Sequence, residues 1–360
     1  MNKASRLASP GVHAWWLGTP ACRIAILCTE NINNHLKRPS RMLSLSDISL
    51  TAETTTSFSH SFAAGEISVV LGANQSGKTD LCRLIAGLNT RARGKISLDG
   101  QSLDSLSPRQ RPVGMVYQAF VNYPNLTVFE NIASPLRAQK TDAATMQATV
   151  GSLAEKLQIS ALLQRYPHEL SGGQQQRVAI ARAMAKGALV LLLDEPLVNL
   201  DFKLRESLEL ELRDLLRASQ TTVIYTSSDP RDAFTLGDQL LLLHKGQKLQ
   251  CGTPLSVYEN PESAEAMALM ADPDINRFYR DDTLCALRPE HLSLSAAPGA
   301  GTAAIEFDMR VIACETSGSE SFIHGEVEGR EWVLRQGGML SVAVGQDLKI
   351  SAAERDVVRF

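Results

Sequence analysis

Two rhythms of apolar residues alternate along the first three quarters of the chain, and only one survives at its end. Met42–Leu50 and Glu66–Leu71 combine alternation with β-branched content and predict strands. Beyond the loop "GANQSGKT", Leu81, Leu84, Ile85 and Leu88 fall at helical spacing. Gly94–Gly100 predicts a short strand ending in a turn, and Val113–Gln118 another strand. From Asn122 to about His168 the pattern is helical, with "TVFENIASPLRAQ" and "TMQATVGSLAEKLQI" as amphipathic pieces. Ser171 then stands as the N-cap of an Ala-rich helix reaching Lys186. Leu189–Leu193 is wholly apolar, as in a strand covered on both faces of a parallel sheet. The helix predicted over Phe202–Ala218 carries Leu208, Leu212, Leu215 and Leu216 on one side, its charges facing away. Thr222–Thr226 predicts a strand, and "LLLLHKGQKLQCG" a hairpin around Lys245–Gly246.

After Asp282 the helical rhythm stops. Short alternating segments such as "AAIEFDMRVIACE", "SFIHGEVEG" and "DLKIS" predict a small all-β domain, a barrel. The expected division is 42–280 for an α/β domain, with a helical part over about 120–170, and 281–360 for the β domain. Residues 1–41 show no sustained period, and Arg23 breaks their one apolar stretch. They are expected to form a poorly ordered extension, arising from an upstream start codon.

Composition narrows the classes of function. Net charge is −3 and aromatic residues make up 5%, so neither a basic footprint nor a base-stacking platform supports nucleic-acid binding. The six cysteines are scattered without C-x-x-C pairs, as expected of free thiols. No apolar run approaches a membrane span, so work at a membrane would pass through a partner.

Two glycine-rich loops carry the chemistry. "GANQSGKT" fits G-x-x-x-x-G-K-[ST] between a strand and a helix. Gly72, Ala73, Asn74, Gln75, Ser76, Gly77, Lys78 and Thr79, with Asp80 beside them, are the expected ATP-binding residues. Gly72 and Gly77 let backbone N–H groups turn towards phosphate oxygens, Lys78 would reach the β- and γ-phosphates, and Thr79 would hold Mg²⁺. The apolar strand of "LVLLLDEP" aims Asp194 at the sheet's carboxyl edge, where it would hold the Mg²⁺ shell. Glu195 would polarise the attacking water. Gln118, ending "VGMVYQ", is a candidate for sensing the γ-phosphate and the metal. The second loop, "LSGGQQQR", caps a helix with Ser171 and exposes amides at Gly172 and Gly173, with Gln174 next to them. One nucleotide cannot use two distant anion sites of one fold. Two subunits placed head to tail can, each signature loop closing over its partner's γ-phosphate.

In this order, "GANQSGKT", Gln118, "LSGGQQQR", "LLLDEP" and "NLD" at Asn199–Asp201 resemble the ATPases of ABC transporters. "MVYQAFVNYPNLTVFENIASPLR", "LDEPLVNLDFKLR" and "LRPEHL" resemble the carbohydrate and polyol importer branch, and within it the ATPases of glycerol-type importers. The resemblance implies an α/β P-loop NTPase with a helical subdomain, followed by an OB-like barrel. It implies that Asp201 crosses a dimer interface with a second ABC ATPase subunit, identical or not. It also implies that the helical segment Asn122–Leu170 receives a coupling helix from a membrane permease, one of two such subunits, served indirectly by an extracytoplasmic solute-binding protein. The protein would then sit peripherally on the cytoplasmic face of the plasma membrane.

Two departures stand out. Ser228 occupies the place of the family's switch histidine, and it would donate a hydrogen bond but carry no cation. Ahead of the phosphate loop, Phe58 is the one nearby aromatic for stacking adenine, and its register is late. These departures leave two readings: a transport ATPase, or a catalytically weak, nucleotide-gated regulator of a second ATPase. Soluble repair or translation ATPases are set aside, since neither a long coiled coil nor a second ATPase half is present. The β domain is open between ligand or regulator binding and a dimerisation role, and "TSGSES" at Thr316–Ser321 between a ligand site and a polar hairpin.

Overall fold

The computed structural model describes residues 41–50, 56–89, 92–119, 121–198, 202–294 and 304–360; side chains at 202–204 and 206–208 lie outside the description. The expectations for 1–41, Arg41 excepted, and for Asp201 therefore fall outside the described residues.

The first part is built from β1 (Met42–Ser49), β2 (Phe58–Ala63), β3 (Ile67–Leu71), α1 (Lys78–Ile85), β4 (Arg93–Leu98), β5 (Gln101–Ser102) and β6 (Val113–Val116). Next come α2 (Val128–Ala138), α3 (Ala143–Lys156), α4 (Gly172–Ala185), β7 (Val190–Asp194), α5 (Phe202–Ala218), β8 (Thr222–Ser227) and α6 (Pro230–Leu236). The hairpin β9 (Gln239–His244)–β10 (Gln247–Gly252) and the short helices α7 (Pro254–Glu259) and α8 (Ala264–Leu269) complete it. A six-stranded sheet of order β10-β9-β3-β8-β7-β6 forms the middle layer, parallel except for β10. An antiparallel sheet, β2-β1-β4-β5, shares no strand pairing with it.

The apolar runs explain the layering. Successive residues of a strand face opposite ways. Leu191 and Leu193 of β7 pack with Val128, Ile132, Val178 and Leu212 from the helices. Val190 and Leu192 pack with Leu43 and Ile96 of the antiparallel sheet and with Leu81 and Ile85 of α1. A strand covered on both faces has no position for a polar residue, hence the unbroken run.

Helix α1 stops earlier than its spacing suggests. The Arg111 guanidinium donates to the carbonyls of Leu84 and Ile85 at 2.9 and 2.8 Å, acceptors at the helix end, the first of them shared with the Gly87 N–H. Leu88 lies beyond it, 46% exposed. The β9–β10 turn uses Lys245 and Gly246 at φ 48° and 78°, the left-handed pair of a tight hairpin. Its Gly246 N–H donates to Ser76 O at 2.8 Å, so the turn lies directly behind the phosphate loop. The "charges away" expectation for α5 fails at Arg205 and Glu209, which are half-buried against α6.

The C-terminal strands are β11 (Asn276–Arg280), β12 (Thr283–Leu287), β13 (Ala304–Thr316), β14 (Glu320–Val327), β15 (Arg330–Gly337), β16 (Asp347–Ala353) and β17 (Val358–Arg359). They form two antiparallel sheets, β11-β12-β17 and β15-β14-β13-β16. β11 starts ahead of position 281, where the sequence rhythm changes. Trp332, 1% exposed, packs against Phe278 and Phe307 at the centre of this core. Gly325 lies opposite Val311 and Trp332, and a Cβ there would collide with the Met309 side chain and come 2.8 Å from the Arg310 carbonyl oxygen. Gly325→Ala is therefore expected to destabilise the chain by about 1–3 kcal/mol through overpacking, read from a shift in the denaturant midpoint of Trp fluorescence. At Thr316–Ser321 the hydroxyls bond to the hairpin's own backbone: Thr316 Oγ1 donates to Glu320 O and accepts from Gly318 N–H, both at 3.2 Å.

Candidate functional site

Four loops leave the carboxyl ends of neighbouring parallel strands, the edge where such sheets bind ligands. They follow β3, β6, β7 and β8, and carry the phosphate loop, Gln118, Asp194–Glu195 and Ser228. The loop after β3 wraps tightly. Gln75 and Gly77 have φ of 65° and 102°, and Gly77 is the residue from which α1 starts. At Gly72 a Cβ would collide with the Leu243 carbonyl oxygen of β9 and sit 2.5 Å from Ser76 Oγ. The first glycine of the motif is thus required by the sheet behind the loop as well as by phosphate in front. Among the described residues the buried Ser76 Oγ has no hydrogen-bond partner.

Lys78 is 4% exposed. Its ammonium donates to Gly72 O at 2.6 Å and Ala73 O at 2.9 Å, and lies 3.1 Å from Glu195 Oε1. All three donors are committed, so a phosphate oxygen reaching Lys78 displaces one partner. Glu195 is 12% exposed at its side chain, has φ 43°, and donates its N–H to Thr226 Oγ1 at 3.0 Å. A left-handed φ at a non-glycine residue stores strain that the surroundings must impose. Gln118 Nε2 reaches Glu195 Oε2 at 3.4 Å. Asp194 accepts from Thr79 Oγ1 at 3.1 Å and from Thr226 Oγ1 at 2.9 Å. Burial pushes its carboxyl above the usual range, against the two hydroxyls that hold it down.

Lys78, Thr79, Gln118, Asp194 and Glu195 therefore converge. Thr226 belongs with them, holding both acidic residues, and its signal in the sequence is only a hydroxyl closing an apolar strand. Ser228 is exposed and adjoins Glu195 across a gap of about 20 Å³. Phe58 is corrected: at 9% exposure, paired with Ile48 and packed in the core, it cannot offer a face to adenine.

The signature loop is built separately. Ser171 Oγ accepts from Gln174 N–H at 3.4 Å, and Gln174 Oε1 accepts from Ser171 N–H at 3.1 Å, a reciprocal capping box. The amides of Gly172 and Gly173 keep no acceptor among the described residues, and Gly172 is exposed. A carboxylate-lined phosphate loop and a second helix start with open glycine amides define a P-loop nucleotide-binding protein with two anion-seeking ends.

The family model described as ABC transporter matches residues 55–198, and the one described as TOBE domain matches 285–360. The chain is 35% identical over 311 residues to the sn-glycerol-3-phosphate import ATP-binding protein UgpC of Cereibacter sphaeroides, covering 80% of this chain and 88% of that one. It is 34% identical over 330 residues to UgpC 3 of Agrobacterium fabrum, covering 86% and 93%. With UgpC of Paracoccus denitrificans it shares 37% over 308 residues, 79% and 86% of the two chains. The chain belongs to the ATP-binding proteins of ABC transporters, with a C-terminal TOBE domain. It is an ATP-hydrolysing enzyme of that family.

Proposed function

We propose that this chain is the ATPase of an importer for sn-glycerol-3-phosphate or a related sugar or polyol, working at the cytoplasmic face of the plasma membrane. The relatives are named as import ATP-binding proteins for that solute, and the alternative of a catalytically weak regulator draws no support from them. The observation that carries turnover is the convergence of Lys78, Glu195, Gln118, Asp194 and Thr79 at the carboxyl edge of the parallel sheet.

Gly72–Thr79 and Asp80 grip the phosphates from one subunit. Ser171, Gly172, Gly173 and Gln174 of a second subunit close over them, with Asp201 at the interface. Lys78 exchanges Glu195 for a phosphate oxygen, which frees the carboxylate to take a proton from water. Gln118 and Ser228 orient the γ-phosphate and that water. Thr79 and Asp194 suit Mg²⁺: both are hard oxygen donors, and a buried carboxylate with a raised pKa is relieved by a dication. When bound, Mg²⁺ supplies neutralisation of phosphate charge.

The ATPase part is residues 42–275 and the OB-like barrel 276–360, since β11 pairs with β12; the bridge between Ser293 and Ser351 supports closure of its sheets. A groove of about 340 Å³ between Tyr117, Tyr123, Ser134 and Arg182 suits a permease segment. Among the described residues no helix is long and apolar enough to cross a membrane.

The test is reconstitution with the two permeases in proteoliposomes and a solute-binding protein. ATP hydrolysis should rise with sn-glycerol-3-phosphate and not with free glycerol. Stimulation by an unphosphorylated sugar alone would replace the proposed solute.

A further inference from the structure

Ser228 is held by residues that the ATP-binding motifs do not contain. It sits between Ser227 and Asp229 at the junction of β8 and α6. Asp229 caps α6, accepting Arg231 N–H at 2.9 Å, and its own N–H donates to Ser227 Oγ at 2.9 Å. The Ser227 hydroxyl donates to Asp232 Oδ2 at 2.6 Å. Both flanks of Ser228 therefore lead to two carboxylates, Asp229 and Asp232. Those two converge on one cation. Arg205 Nη2 lies 2.5 Å from Asp232 Oδ1 and 3.1 Å from Asp229 Oδ2, while its Nε donates to Glu209 Oε1 at 2.7 Å on its own helix.

Burial makes this arrangement costly to disturb. Asp232 is 3% exposed, and the Arg205 side chain 21%. Removing the cation would leave carboxylates facing one another out of water. Arg231, mostly exposed, neutralises Asp229 from the solvent side only. Arg205, Asp229 and Asp232 line the same gap of about 20 Å³ as Glu195 and Ser228, so a shift of the cluster is felt at the reacting end.

We propose that Arg205 is a positioning residue for ATP hydrolysis: by clamping Asp229 and Asp232 it fixes the Ser228 hydroxyl beside Glu195. This rests on the reading of Ser228 as a γ-phosphate contact. A serine is shorter than the histidine expected there and has no charge to attract phosphate from a distance. Its contribution depends on being held in place, and a displacement of about 1 Å in such a group costs up to a hundredfold in rate. The planar fork of arginine serves three carboxylates at once, which a lysine ammonium on a flexible stem does not reproduce.

The experiment is a double-mutant cycle on the full chain, reading kcat and KM for ATP of the wild type, Arg205→Lys, Ser228→Ala and the double variant. Arg205→Lys keeps the charge and removes the planar fork. It should lower kcat by about tenfold with KM within about twofold, since it alters orientation and not phosphate binding. In the Ser228→Ala background the same change should cost less than about twofold, because the two residues act as one unit. Should Arg205→Lys fail to fold, Asp232→Asn enters the same cycle as a second way to loosen the Ser227 flank. A full, multiplicative loss in both backgrounds would overturn the positioning role while leaving Ser228 in the site. If Ser228→Ala alone keeps the wild-type kcat, the Ser228 reading falls, and the role of Arg205 falls with it.

Discussion

Replacing Glu195 with glutamine should cut ATP turnover by a hundredfold or more while nucleotide binding stays within about fivefold, in keeping with the rate carried by a general base. The exchange keeps the length of the side chain and its acceptor oxygen near Gln118, which is 3.4 Å away, and it leaves the Thr226 bond to the backbone untouched. What it removes is the ability to take a proton from water. It also removes the counter-charge 3.1 Å from Lys78. A phosphate oxygen then has no carboxylate to displace, so ATP should bind at least as tightly and closed dimers should accumulate. Phosphate release, fluorescent-nucleotide titration and light scattering with ATP read the three quantities. Turnover within twofold of the parent would refute the role given to Glu195.

Lys78→Met should act on the opposite quantity. The ammonium is nearly inaccessible and bonds two loop carbonyls at 2.6 and 2.9 Å. Methionine fills much of the same space but returns none of the donors. Each charge-assisted bond is worth about 1.5–3 kcal/mol. Losing the phosphate contact should therefore weaken ATP binding by about ten- to a hundredfold, at about 1.4 kcal/mol per decade. The effect should be larger for ATP than for AMP, because the lysine serves the outer phosphates. Equal affinities for ATP in the two proteins, measured by titration, would place the phosphates elsewhere.

Much of this site was legible before any coordinates. The run Leu189–Leu193 marked a strand covered on both sides because burial on two faces leaves no room for polarity. Ser171 announced a helix start because the capping box is a local bond pattern, and structure reproduces it between Ser171 and Gln174. Lys245–Gly246 announced a hairpin because few residue pairs tolerate its backbone. What stayed hidden was less periodic or more distant. In β2 only Phe58 and Phe62 are buried, and His60 at the intervening inward position breaks the apolar alternation. Helices α6, α7 and α8 have six or seven residues, too few to show a period in a window of about eleven to eighteen. Arg205 and Asp232 are separated by 27 residues and belong to no shared motif, so only folding brings them together. Phe58 misled because composition reports an aromatic ring but not which way it faces.

A two-residue turn on a protein surface is ordinarily where an epitope or a reporter domain is inserted with least harm. The one joining β9 to β10 is an exception, since Gly246 bonds Ser76 and the preceding strand closes in on Gly72. An insertion at Lys245–Gly246 would open the nucleotide's cradle from the rear. Fusion partners are better attached to a part of the molecule that lends no support to the phosphates.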